Sequence, residues 1–581
     1  PVEDDGNTAL VFIAHAAPPN TTVHKTLTDI ESHLFYDCLI KIGVVFYTTK
    51  GRKRIRKKVL LVNEEVYVVV VSCGHRQEMS ESRESESNGK AVPPALPQVW
   101  LRTCDAETIR PVQGKLTGKV QYGDTRFNHL FDGSAYIHQF NIKNGNVTYQ
   151  SRFLQSDTYK RNTKANRIVV SEFGTAAFPD PCQTLLQRFM SFFTPLTQNE
   201  VTDNCVVSVC YFGDQLYALT ETNRMRRIDP ETLASVGEKT QLDHYIAVNT
   251  ATAHPHIDPD GTVYNMGNSY VGIKGPTYNI IKFPPPKEVD GKKISSVEQA
   301  EIISTIPCQW KMYPCYYHSF GITDNYFIFV EQPYVFNMKK FLLNCYIGKP
   351  YLEAVEWYGQ EKTKFRVVQR DTGEMLATNY VTAAFLTFHH TNSYEKDGQL
   401  EVNQLMLKNI EKPEFECSLD TTPFHRLTLN TKCSAYKRKN GSIEVEGQVI
   451  SKQYFDLPRI NYKYNGKEYT YSYGVEVNPK GVEFSQLVKM NVQTGDVSLW
   501  HEQGKVVSEP VFVAAPDATS EDDGVVLSTL IDKKEPKLVA LLVMNPKTWT
   551  EMARVEFEAC GIVTSTFHGQ FAADDEPVHI L

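Results

Sequence analysis

From about residue 105 onward, short apolar or β-branched runs alternate with Asx-Gly pairs, the grammar of strand, turn, strand. Asn144-Gly145 separates HQFNIK from NVTYQSRF, and Asp260-Gly261 precedes TVYNMG. Asp371-Thr372-Gly373, Asp397-Gly398, Asn440-Gly441, Asn465-Gly466 and Thr494-Gly495-Asp496 are placed in the same way. Such pairs supply the positive φ angles of tight hairpins. In YKRKNGSIEVEGQVI, Ile443 and Val445 alternate with Ser442, Glu444 and Glu446, so one strand face is expected to be buried. Helical patterns are few, the best being residues 181–193 (PCQTLLQRFMSFF) and 295–303 (SSVEQAEII). A long series of antiparallel hairpins predicts an all-β chain, and a β-propeller handles sheet edges at this size; two stacked sandwiches are the alternative. No repeat at fixed spacing is visible, so the blade count stays open.

The first hundred residues read differently. Lys50 to Lys58 carries seven basic side chains in nine positions, and residues 77–90 form the Ser/Glu tract QEMSESRESESNGK, followed by AVPPALP. Such a tract buries too little apolar area to offset its ordering entropy. The chain therefore divides into a divergent, partly disordered region, 1–104, and a β unit, 105–581. The basic run fits a solvated face, a nuclear signal or an anionic-lipid patch.

A net charge of -7 and a pI near 6.2 give no reason to expect nucleic acid as a partner. Aromatic residues, at 11%, favour strands and apolar ligand pockets. The twelve cysteines, Cys38, Cys104, Cys205, Cys433 and Cys560 among them, form no CxxC pair, so they read as reduced thiols of an intracellular protein. The acidic start, Pro1 to Asp5, lacks the basic region of a secretory signal. The longest apolar runs, Val66 to Val71 and Leu538 to Met544, are too short to span a bilayer, so membrane contact is expected to be peripheral.

Four of the sixteen histidines stand at the edge of an apolar or β-type run, just before a turn or a fresh strand. They are His254 (ATAHPHIDPDG), His318 (YYHSFGIT), His389 (FLTFHHTN) and His568 (TSTFHGQF). In a propeller the innermost strands run beside one axis, so residues separated by 64, 71 and 179 positions can meet. Spacing alone leaves open four unrelated, partly buried imidazoles.

Read together, several segments resemble the carotenoid cleavage oxygenase family, in particular its animal branch. That branch contains β-carotene oxygenases, insect carotenoid isomerooxygenases and the retinoid isomerohydrolase of the retinal pigment epithelium. The segments are FNHLFDGSAYIHQF, SRFLQSDTYKRN, VVSEFGTAAFPDPC, ALTETNRMRRIDPETL, ATAHPHIDPDGTVYN, YHSFGIT, FHHTNSYEKDG, SEPVFVAAPDATSEDDGVVLS and TFHGQF, in family order from about Val112 to the end. The resemblance implies a seven-bladed β-propeller with a loop-and-short-helix cap over a central metal site. It implies His254, His318, His389 and His568 as ligands of one Fe(II), with His256 and His390 as neighbours only. Dioxygen would be the co-substrate and a carotenoid or retinoid the substrate, cleaved at a double bond into aldehydes.

Four neutral imidazoles leave a divalent charge uncompensated, a role for carboxylates on the outer ring nitrogens. The resemblance implies Glu221 (LTETN) and Glu509 (SEP) for two of these. The third falls at Asp456 (FDLPRINY), where the family has Glu; one methylene fewer implies a longer or water-bridged hydrogen bond. Thr220 resembles a residue that crowds an open coordination position with its methyl group.

PDPCQTLLQRFMSFFTPL resembles the family's membrane-facing segment. Its stretch from Pro181 to Phe193 would place Leu185, Leu186, Phe189, Met190, Phe192 and Phe193 beside Arg188, and Cys182 matches a lipidated position. Residues 334–352 are a second candidate for this face. The implied location is the cytoplasm, with peripheral association to an internal membrane; the oligomeric state does not follow. The chain departs from the family where PVQGKLTGK runs directly into VQYGDTRFNHLFDG, omitting a WL-x-G…RNGPG strand segment. Residues 43–74 are one candidate substitute; a splice variant or a faulty translation of this region is the alternative, and the preferred one. The same site also suits an isomerohydrolase or isomerooxygenase, and without catalysis the chain would be a carotenoid- or retinoid-binding propeller. A calcium- or zinc-dependent lactonase or esterase propeller is a further alternative, disfavoured for calcium by a His-only ligand set.

Overall fold

The structure is a computed structural model. It describes residues 121–129, 131–143, 146–183, 201–270, 275–406, 424–430, 441–478, 483–515, 518–559, 561–564 and 567–573, with the strands Val45–Thr48, Lys57–Leu60, Val66–Cys73 and Gln98–Val99. The tract 77–90 lies outside the described residues, as do residues 184–193 with their six apolar side chains.

Six antiparallel sheets of four or five strands follow one another along the chain and form the blades of a propeller. The first covers residues 208–241, the second 250–307 and the third 321–382. The fourth covers 390–451, the fifth 456–500 and the sixth 505–558. The third also accepts Ser442–Glu444 in parallel against Asn379–Thr382. Consecutive blades among the described residues thus number six, against the seven expected. The remaining strands of that size do not form a consecutive blade but a sheet drawn from both ends of the chain. In it Val66–Cys73 pairs with Ala135–Lys143 on one side and with Gly569–Ala573 on the other, both antiparallel.

The sequence rhythm follows the position of a strand in its blade. Leu538–Asn545 (LVALLVMN) and Gly524–Asp532 (GVVLSTLID) are buried almost throughout, because blades pack on both of their faces. Thr550–Glu558, at the blade's edge, intersperses exposed and buried positions. Asp397 (φ 53°) and Gly398 (φ 76°) form the tight turn expected of them, joining His390–Lys396 to Gln399–Leu405.

The helical expectation for 295–303 does not hold. Val297–Gln299 makes a single 3₁₀ turn, and Glu301–Pro307 is a strand on Thr277–Phe283, where Ile302, Ile303 and Ile306 favour the pleated surface. Helices lie instead at Asp157–Ala165, capped by Ser156, and at Met338–Ile347, capped by Asn337 and Gly348. No helix among the described residues is long and apolar enough to cross a membrane. Among the described cysteines, Cys205, Cys210 and Cys315 are buried and Cys182 is exposed, and none of these is in a disulfide.

Candidate metal centre

The six blades and the end-to-end sheet each deliver one group to a common centre. Glu221 lies between the first-blade strands Gln215–Leu219 and Arg224–Ile228. His254 precedes His256–Ile257, and His318 precedes Gly321–Ile322. His389 precedes His390–Lys396, and Asp456 opens Asp456–Arg459. Glu509 precedes Val511–Ala514, and His568 precedes Gly569–Ala573.

The four histidines meet. One ring nitrogen from each lies within 4.8 Å of all the others. Their ring centroids are 4.3 to 6.4 Å apart. His254 Nε2 and His318 Nε2 stand 2.8 Å apart, and His389 Nε2 is buried with no hydrogen-bond partner.

The outer nitrogens explain which way the rings face. A carboxylate only accepts, so each Nδ1 beside one carries the proton and leaves Nε2 as a lone pair turned inward. His318 Nδ1 donates to Glu221 Oε1 at 2.6 Å, His389 Nδ1 to Asp456 Oδ1 at 2.8 Å, and His568 Nδ1 to Glu509 Oε1 at 2.8 Å. The Asp456 bond is therefore as short as the Glu509 bond, correcting the longer or water-bridged contact expected of the shorter side chain. A local register shift in the strand opening at Asp456, with Leu457 at φ 51°, repositions the backbone there.

The donor set fits a metal ion: convergent neutral imidazoles, one with an orphaned buried nitrogen, oriented by carboxylates behind them. Imidazole suits iron, zinc, copper and nickel alike. His256 and His390 turn elsewhere, as expected of neighbours: His256 Nε2 donates to Phe320 O, and His390 bonds Ser319. Burial holds these two imidazoles neutral, lowering His256 to about 4 and His390 to about 3. Thr220 is buried next to Glu221.

Other site residues escaped the sequence reading. Tyr316 donates from its hydroxyl to Glu221 Oε1 at 2.9 Å. Burial, then the Glu221 charge, raises its pKa well above the tyrosine range, so it stays a donor. Arg459 donates to Glu509 Oε2 at 2.8 Å and to Gly569 O. Burial pushes the Glu509 carboxyl up, while Arg459 and the Gly569 amide oppose that rise. Beside the histidines runs a chain of aromatic rings. Phe388 lies 5.5 Å from His318, Phe131 lies 6.0 Å from Phe388, and Phe131 meets Phe173 at 5.8 Å and Phe567 at 5.9 Å. Phe388 and Phe567 each directly precede a clustered histidine, the sequence signal that marks them.

Residues 107–573 match the family model described as Retinal pigment epithelial membrane protein. The chain is 39% identical over 469 residues to the β,β-carotene 15,15'-dioxygenase of Gallus gallus, spanning 75% of this chain and 88% of that one. It is 38% identical over 504 residues to a mitochondrial carotenoid-cleaving dioxygenase of Mustela putorius furo, spanning 78% and 89%. In fold it is similar to cobalt-substituted Synechocystis apocarotenoid oxygenase, with a TM-score of 0.63, 22% identity, and coverage of 78% of this chain and 90% of that chain.

Proposed function

The chain belongs to the Retinal pigment epithelial membrane protein family, the carotenoid oxygenases, and from that premise we propose that it is a non-haem Fe(II) dioxygenase that cleaves a carotenoid or apocarotenoid double bond. The observation that carries this reading is the inward convergence of four imidazoles, three of them held by carboxylates on their outer nitrogens. His254, His318, His389 and His568 would hold the ion, and Glu221, Asp456 and Glu509 would orient three of them; Thr220 would crowd a remaining position. Bound iron would supply one-electron chemistry toward dioxygen, which enters both carbonyl products as the double bond breaks. The relatives named as dioxygenases support dioxygen as the co-substrate, and the family resemblance is what implies iron for this donor set.

The protein's own contribution is orientation and dryness. Phe131, Phe173, Phe388 and Phe567 offer edges and faces to a rigid polyene and keep water from it. Retinoid isomerohydrolysis and isomerooxygenation use the same centre, and a binder would bury the polyene without consuming it. Incubating iron-loaded protein with β-carotene, a xanthophyll and a retinyl ester, with and without air, separates these by chromatography. Air-dependent aldehydes support the dioxygenase; an unchanged polyene refutes it.

The sheet drawn from both chain ends serves in this reading as a seventh blade that closes the ring, with the helices Asp157–Ala165 and Met338–Ile347 in the cap and 105–581 as one unit. The membrane face includes Leu342, Leu343 and Ile347 on the second helix and Phe178 beside it, all exposed. The Ala177 amide donates to Gly348 O at 3.1 Å and joins these two segments. Such a patch suits peripheral attachment to an internal membrane, from which a polyene would enter.

A further inference from the structure

Asp456 and Arg459 are three residues apart on one strand, a spacing that sends side chains to opposite faces of a regular pleat. Both nevertheless reach the metal centre. Asp456 pairs with Val475 and Arg459 with Tyr473, so three steps on one strand oppose two on the other. This is a bulge, with Leu457 in the left-handed region and Pro458 next to it, where a missing amide donor costs nothing. One bulge thereby presents charges of opposite sign to one centre: Asp456 on His389, and Arg459 on Glu509, which in turn holds His568.

The charges are unevenly distributed. Glu221 and Asp456 each have about a quarter of their side chain accessible, whereas Glu509 has 2% and Arg459 6%. An anion as deeply enclosed as Glu509 requires a fixed cation or a proton. Three carboxylates, one guanidinium and four neutral imidazoles leave two negative charges around the histidine cluster. We propose that Arg459 is a positioning residue that sets this charge, holding Glu509 against His568 and matching the pocket to a divalent rather than a trivalent cation. The inference rests on the reading of the histidine cluster as a metal site.

The test is the ferrous/ferric midpoint of the full-length, iron-loaded chain, read from the ferric EPR signal during redox titration. Titrated at alkaline pH, where Glu509 keeps its charge without the guanidinium, Arg459→Gln leaves an extra negative charge and favours the ferric state at least tenfold, a midpoint fall of about 59 mV for one electron. Glu509→Gln alone moves the midpoint the other way. Arg459→Lys, and the pair Arg459→Gln with Glu509→Gln, return it toward the wild-type value. A guanidinium that acted only as scaffold would give no opposed shifts and no recovery in the double variant. Loaded variants that all titrate with the wild type, or a double variant that titrates with Arg459→Gln, overturn the proposal. Glu509→Gln and the double variant decide the matter even where Arg459→Gln does not fold. A wild-type chain that takes up neither iron nor cobalt overturns the metal reading itself, and the two failures are thus distinguishable.

Discussion

His254 Nε2 and His318 Nε2 face each other at 2.8 Å across the centre. The proton of His318 is committed to Glu221 through Nδ1, so its inner nitrogen is a lone pair. A cation between the blades satisfies that pair and its two counterparts at once. Replacing either residue, His254→Ala or His318→Ala, is expected to abolish stoichiometric metal uptake, measured by elemental analysis of protein whose circular dichroism matches the wild type. A variant that still binds one ion per chain contradicts the assignment of that ligand.

Asp456 holds His389 as directly as Glu509 holds His568, both at 2.8 Å. Asp456→Asn places an amide where Nδ1–H donates, and either the amide or the ring must turn. The expected cost is about 10- to 100-fold in metal affinity, with the fold retained. Competition against a chelator measures it; unchanged affinity would remove Asp456 from the site.

Phe388 and Phe131 stand 6.0 Å apart, with Phe388 against His318. Phe388→Ala or Phe131→Ala removes about 1.5–3 kcal/mol of apolar contact with a polyene. That corresponds to roughly a ten- to hundredfold rise in KM for β-carotene, with metal content unchanged. A KM equal to that of the wild type would place the substrate elsewhere.

Asp132 is fully buried and accepts from the Gly174 amide and the Thr175 hydroxyl. Burial, the largest cause, raises its pKa to about 7 from the ordinary 3.8. Since the folded value is the higher one, its contribution is complete below 3.8 and is lost as pH rises through about 7. Wild-type melting temperature should therefore carry a downward component between about pH 4 and 7, flat above that, which Asp132→Asn removes. Parallel melting curves for the two proteins across that range would contradict this assignment.

The four clustered histidines were legible because each belongs to a short motif at the mouth of a strand, as in AHPH, HSFG, FHHTN and FHG. Groups one layer out were not, because their roles depend on which blades become neighbours. Tyr316 finds its carboxylate 95 residues away, and Arg459 finds Glu509 50 residues away across the fifth and sixth blades. Both lie within three residues of positions that were recognised, Tyr316 before His318 and Arg459 after Asp456. The bulge at Leu457 had no glycine to announce it and was silent in the sequence. At 295–303 a helical charge pattern yielded to isoleucines that had a strand to pair with. The blade count could not be read from hairpins because one sheet is assembled from sequence ends some 500 residues apart.

Anomalous diffraction at the iron edge, from crystals of iron-loaded protein, tests the central claim most directly. One peak per chain, within bonding reach of Nε2 of His254, His318, His389 and His568, is the predicted result. Iron bound away from these four nitrogens, or a centre that stays empty in protein given excess ferrous ion, would contradict it.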